Sequence, residues 1–257
     1  MSSKTLVFIH GMFMNSLCWE HWVERFQGYG YKCIAPDWPG RDETVKELRA
    51  RHPNPELGML TLTEVIDYFA GLIGKLDEKP VLIGHSMGGL VTQILLGRYL
   101  AAAAVAIDSA PPQGVFSTSW PFLKANWPMI NPFISKRRPH LMSFRQFQYA
   151  FVNTMAPNEQ RAAYDRYVIP ESRQVPRESL TRTARIDFKR DHAPLLLVAG
   201  SADHIIPASL NRTNHKKYAG SASITDFMEF PERVHFTIGQ DGWEEVADYV
   251  DNWLKNQ

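Results

Sequence analysis

Six short, mainly apolar runs recur along the chain, and amphipathic stretches of helical period lie between them. Leu6-Val7-Phe8-Ile9 is apolar on both faces and contains β-branched residues, which predicts a buried strand. Tyr31 to Ala35 predicts a second strand, broken by Pro36-Asp37 and Pro39-Gly40. Val81-Leu82-Ile83, Ala104 to Ile107, Leu195 to Ala199 and Ile224 to Phe230 predict four more, the last being the least apolar. Leu62, Val65, Ile66, Phe69, Ile73 and Leu76 follow the i, i+3, i+4, i+7 spacing of a helix face. Thr61 and Glu64 are placed to form a capping box at its start. Leu90, Val91, Ile94 and Leu95 repeat the spacing after the third strand. Trp243, Val246, Ala247, Val250, Trp253 and Leu254 form one stripe on a terminal helix. This alternation predicts an α/β fold with a mostly parallel six-stranded sheet and helices on both faces.

One segment breaks the alternation. From Pro111 to Asp191 no buried strand is evident, and prolines are interspersed with Trp120, Phe122, Trp127, Phe133, Phe144, Phe147, Tyr149 and Phe151. Its later half carries Arg161, Arg166, Arg173, Arg177, Arg182, Arg185 and Arg190. The economical reading is a core made of residues 1–110 and 192–257, with a mostly helical cap inserted at 111–191. Two extra core helices with a solvated basic face are the alternative.

Composition adds exclusions. A chain of 257 residues can bury one substantial core. A net charge of +1 gives no global attraction to nucleic acid or an anionic membrane. No window reaches the ~18 apolar residues of a bilayer span. The first apolar run is too short for the roughly 7–15 residue core of a secretory signal. Two cysteines without a CxxC spacing suit a reducing cytoplasm, with Cys18 and Cys33 unpaired. No HExxH or clustered ligand spacing is present, so no metal is expected.

The chemistry concentrates at Gly84-His85-Ser86-Met87-Gly88, a G-x-S-x-G motif. It follows an apolar strand directly and opens an amphipathic helix directly, the context a nucleophile elbow needs. Glycines at 84 and 88 let strand and helix approach closely, and the helix N-terminus offers free amides where negative charge would develop.

The stretch Val81 to Gly89 resembles the α/β-hydrolase superfamily, and within it the small serine esterases, cofactor-free haloperoxidase-like hydrolases and related lipases. Phe8-Ile9-His10-Gly11-Met12, Pro36-Asp37-Trp38-Pro39-Gly40 and Gly200 to Pro207 extend the likeness to both flanks of the chain, but not to 111–191. The resemblance implies a sheet lacking the family's first two strands. It implies Ser86 as nucleophile, with partners in the chain order Ser, Asp, His. His235, in the loop before the terminal helix, then stands where the family has its histidine, although Val234 replaces the glycine common there. Asp203, on the turn after the fifth strand, is the expected acid, and Asp108 after the fourth is the rival position. Backbone amides of Met12 and Met87 are the expected oxyanion hole, with His10 bracing the first loop and His85 packing around the elbow. Trp120, Phe122, Phe144, Phe147 and Phe151 are candidate pocket walls.

Together these features predict a cofactor-independent serine hydrolase cleaving esters of small to medium hydrophobic substrates. Carbon–carbon hydrolysis, lactone or thioester opening and perhydrolysis could use the same residues. A hydroxynitrile-lyase-like enzyme or a non-catalytic receptor is further off. Oligomeric state is not legible.

Overall fold

A computed structural model describes residues 4–257, so residues 1–3 of the expected core lie outside the described residues. Six strands form one sheet: β1 (Thr5–Ile9), β2 (Lys32–Ile34), β3 (Val81–His85), β4 (Ala103–Ile107), β5 (Leu195–Gly200) and β6 (Thr225–Phe230). Their order is β2-β1-β3-β4-β5-β6, and every neighbouring pair is parallel. The runs with no polar face (β1, β3, β4 and β5) are wholly buried, as a sheet covered on both faces requires. β2 and β6 are the edges and are only partly buried. β2 is shorter than its apolar run because the Tyr31 amide is spent on the preceding helix, donating to Phe26 O at 3.1 Å, and Pro36 has no amide to donate.

Among the described residues ten α-helices accompany the strands. In the core these are α1 (Glu20–Gly28), α2 (Val45–Ala50), α3 (Leu62–Ile73), α4 (Met87–Gly97), α9 (Ala208–Lys217) and α10 (Trp243–Lys255). α3 begins with the expected capping box: Glu64 N donates to Thr61 Oγ1, and Thr61 N donates to Glu64 Oε2 at 2.8 Å. It ends at Ile73, where Gly74 N closes on Ala70 O, so Leu76 lies on the turn beyond it. Trp22 of α1 meets Trp243 of α10 with ring centroids 6.2 Å apart. Asn214 of α9 donates to Gln93 of α4 at 2.9 Å, and α3 packs on α4. Helices thus cover both faces of the sheet.

Between β4 and β5 lie α5 (Trp120–Ile130), α6 (Phe144–Ala150), α7 (Pro157–Tyr167) and α8 (Gln174–Glu178). Apart from the helices, this segment holds one isolated antiparallel bridge, His140 with Glu171. Its arginines do not form a single basic face. Arg173 donates to the carbonyls of Pro128, Arg138 and Pro139, and Arg177 to those of Met129, Asn131 and Ile134. These two guanidinium groups satisfy main-chain acceptors at the end of α5 and in the loop that follows it. Arg161 and Arg166 instead make exposed ion pairs with Asp165 and Glu20. Cys18 and Cys33 are free thiols. Among the described residues no helix is long and apolar enough to cross a membrane.

Candidate active site

The strand order reverses between β1 and β3, the switch point at which open α/β sheets commonly bind ligands beyond the C-terminal ends of the strands. Ser86 stands at that point, between β3 and α4. Its backbone lies in the left-handed region (φ 58°, ψ −121°), a strained setting for a non-glycine residue. The chain holds it there because β3 and α4 are drawn tightly together. A Cβ on Gly84 would lie 2.2 Å from Gly88 O, and one on Gly88 would lie 2.1 Å from Ile9 O. Only glycine fits either place. Ser86 N also donates to Ile107 O of β4 at 2.9 Å, which ties the bend to the sheet.

The structure brings the three sequence-predicted side chains into contact. Ser86 Oγ and His235 Nε2 are 2.9 Å apart, and His235 Nδ1 and Asp203 Oδ2 are 2.6 Å apart. The other oxygen of Asp203 accepts from the amides of Ile205 (2.7 Å) and Ile206 (2.9 Å). Three N–H groups therefore converge on one carboxylate and fix its plane. Val234 is fully buried beneath the loop and its amide donates to Gln240 Oε1, so no glycine is needed before His235.

His85 does more than pack. Its Nε2 donates to the backbone carbonyl of His235 at 2.7 Å, and the two rings lie 4.9 Å apart. The edge of Phe151 meets the His235 ring at 4.9 Å from the side of the helical segment. Burial holds His235 far below the ordinary imidazole value, at about 3, and also lowers His85 and His10. Burial raises Asp203, against the pull of the two amides that it accepts.

Asp108 occupies the rival position, fully buried with φ 44°. One of its oxygens accepts from Gly200 N at 2.7 Å and the other has no protein partner. Burial and the neighbouring charge of Asp203 push its pKa well up. Ligand atoms of His85, Asp108 and His235 lie within 4.8 Å of one another. Both nitrogens of His235 and Nε2 of His85 already have protein partners, which leaves two free donors, too few for a three-ligand metal site.

The loop after β1 passes directly over Ser86. A Cβ on Gly11 would fall 2.7 Å from Ser86 Cβ and 3.3 Å from its Oγ. His10 braces this loop as expected, with Nδ1 donating to Gly11 O and Nε2 accepting from Trp38 N. No turn or loop hydrogen bond engages the Met12 or Met87 amide among the described residues.

A family model described as the alpha/beta hydrolase family matches residues 6–249. The chain belongs to that family. No curated protein matches the sequence. Among solved structures, a monoacylglycerol lipase from Paleococcus ferrophilus is 20% identical, with TM-score 0.68 over 97% of this chain and 93% of that one. Tomato methylketone synthase I complexed with 2-tridecanone is 13% identical, with TM-score 0.72 over 100% and 99%. A methylesterase from Arabidopsis is 13% identical, with TM-score 0.67 over 98% and 99%. At these identities the likeness is one of fold.

In this α/β hydrolase a cavity of about 920 Å³ opens beside α5 and α6 and is lined as far as His204, while Ser86, His235 and Asp203 themselves do not line it. Met129, Met142, Ala125 and Pro128 supply apolar wall, while Gln146, Gln148, Gln160 and Asn153 supply amides. None of the five aromatic candidates lines it. Trp120 is 71% exposed on the outside of α5, and Phe122 is partly buried. Phe144 packs on Tyr164, and Phe147 is buried between Tyr164 and Phe151. Phe151 alone touches one of the three contacting side chains. Sequence reasoning missed the amide-bearing wall, because single Gln and Asn residues on a helical segment carry no periodic signal.

Proposed function

We propose that this α/β hydrolase is a serine carboxylesterase that forms an acyl-enzyme on Ser86. The observation that carries the reading is the unbroken run from Ser86 Oγ through His235 to Asp203, with contacts of 2.9 and 2.6 Å at a strained bend. His235 takes the Ser86 proton as Oγ attacks the ester carbonyl, and Asp203 holds the imidazole tautomer and stabilises the imidazolium. The Met12 and Met87 amides stabilise the oxyanion, each donor contributing about 3 kcal/mol in the transition state. His235 then protonates the leaving alcohol and, in the second half-reaction, activates water. No cofactor enters either step.

The helical segment 111–191 acts as a cap, and the cavity beside α5 and α6 takes a small to medium group of the ester. Its mixed wall favours a chain that is apolar along most of its length with a hydrogen-bonding end. The esterase and lipase names among the fold neighbours agree with a hydrolytic role. Two free thiols suit a reducing compartment such as the cytoplasm.

A fluorophosphonate probe should label the wild type at Ser86, and Ser86→Ala should lose both the label and roughly 10⁴-fold or more of p-nitrophenyl ester turnover. A panel of acyl chain lengths then measures the pocket. Labelling elsewhere, or equal turnover by Ser86→Ala, refutes the reading.

A further inference from the structure

The loop that carries Met12 is held by a buried ion pair reaching across the molecule. Arg41, just after β2, and Glu171, in the 111–191 segment, are both fully buried, with Nη2 of one 2.5 Å from Oε1 of the other. The pair is spent on main-chain groups next to Met12. Glu171 Oε2 accepts from Phe13 N at 3.0 Å, and Arg41 Nη1 donates to Met14 O at 3.0 Å. Ile169 N donates to Phe13 O at 2.9 Å, so the segment grips Phe13 by both its amide and its carbonyl. Phe13 is held in the left-handed region at φ 64°.

Each part of the pair is itself fixed. The backbone of Glu171 exchanges two 2.8 Å hydrogen bonds with His140, and its Oε1 also accepts from Ser172 N. The Arg41 guanidinium lies over the Trp38 ring at 4.4 Å, and Trp38 N donates to His10 Nε2. Residues 10, 13 and 14 are thus each anchored, while the amide of Met12 between them is left for another acceptor. A buried ion pair is weak evidence of stability, since apolar residues of similar volume often serve as well. Spending both charges on the backbone of one strained loop points to placement instead.

We propose that Glu171 and Arg41 are positioning residues that aim the Met12 amide at the oxyanion, so that the helical segment completes the catalytic centre as well as covering it. The inference rests on the acyl-transfer reading above. Its test uses Glu171→Gln, which keeps the shape but loses the charge, and the double variant Arg41→Met with Glu171→Met, which removes both charges together. Active sites are counted by fluorophosphonate titration, and kcat and KM are taken per titrated site. An alkyl trifluoromethyl ketone, which forms a tetrahedral adduct on serine, probes the oxyanion hole directly. Hydrogen exchange at the Phe13 amide is read in parallel and does not depend on turnover.

The clamp predicts kcat per site lower by about 30- to 100-fold, short of or near the loss of a whole donor, with KM within about twofold. Ketone affinity should fall by the same factor, and the pH profile of the remaining activity should keep its shape because His235 and Asp203 are untouched. Phe13 exchange should be slow in the wild type and at least tenfold faster in the variants. Rapid Phe13 exchange in the wild type, or a folded double variant whose kcat and ketone affinity stay within threefold, overturns the clamp while leaving the esterase reading standing. Wild-type protein whose Ser86 takes no label overturns both.

Discussion

The C-terminal edge of the sheet and the 111–191 segment solve the same problem in opposite ways. At the sheet edge, Ser86 is placed by main-chain packing: two glycines, a strand and a helix leave no room for any other path. In the segment, long side chains reach back to the main chain. Arg173 and Arg177 between them bind six carbonyls at the end of α5 and in the loop after it, and Glu171 with Arg41 binds the loop of Met12. The first kind of order tolerates no added atom. The second depends on a few charged groups and can be loosened by removing one.

The comparison breaks most sharply at Gly88. A methyl group there would overlap Ile9 O at 2.1 Å, and neither partner is a side chain that can swing away. Gly88→Ala should therefore destabilise the fold by about 3 kcal/mol or more, in the range of severe overpacking and backbone strain. Denaturant unfolding measures it. A cost below about 1 kcal/mol would mean that the strand–helix bend is not as rigid as its geometry implies.

A smaller and more local loss is expected in the segment. Arg177→Ala frees three carbonyls and should cost about 1–3 kcal/mol. Hydrogen exchange should then quicken in α5 and the loop after it, while β1, β3 and β4 keep their protection. Equal loosening of the sheet would show that the two regions unfold as one unit and erase the contrast.

That contrast also explains what could be read in the residues. The strand runs were found to within one or two positions because burial on both faces leaves a continuous apolar signal. Ser86 was legible because the elbow packs its requirements into five consecutive residues. His235 and Asp203 came from chain order within a resemblance, and Val234 shows that the loop needs no glycine when a buried apolar side chain fills the space. Glu171 and Arg41 gave no signal: they stand 130 positions apart, and no pattern in one foretells the other. The absence of the aromatic candidates from the cavity wall has a related reason. Aromatic content marks a segment as amphipathic without saying which ring turns inward. Phe147 and Phe151, four apart on α6 and its end, did so, while Trp120 did not.

Acidity tests the sheet-edge site without changing a residue. In the proposed acyl transfer the base must be neutral to accept the Ser86 proton, and burial moves His235 down from 6.5 to about 3. Activity is therefore retained as pH falls through 6.5 and lost only as it nears the folded-state value, below the limb near pH 6 that an unperturbed imidazole would give. The depressed value also makes the stability contributed by neutral His235 present above pH 6.5 and progressively lost below it. Asp108 opposes this trend, because its raised value lets the folded chain keep a proton that the unfolded chain releases. The measurement is kcat/KM against pH on protein shown by circular dichroism to remain folded. A limb at 6 to 7 in folded protein would place His235 in a wetter setting than its burial describes.

The smallest effect is expected where the segment meets solvent. Trp120 is 71% exposed and Phe133 92% exposed, and neither lines the cavity beside α6 or touches His235. Side chains that lose little water on folding contribute little to it, so Trp120→Ser and Phe133→Ser should each shift stability by less than about 0.5 kcal/mol. Turnover of a short p-nitrophenyl ester should stay within twofold. A loss of kcat/KM confined to long acyl chains, with stability unchanged, would carry a different meaning. It would require these rings to meet substrate outside the cavity, extending the acyl path over the outer face of α5 and making that face a part of the site.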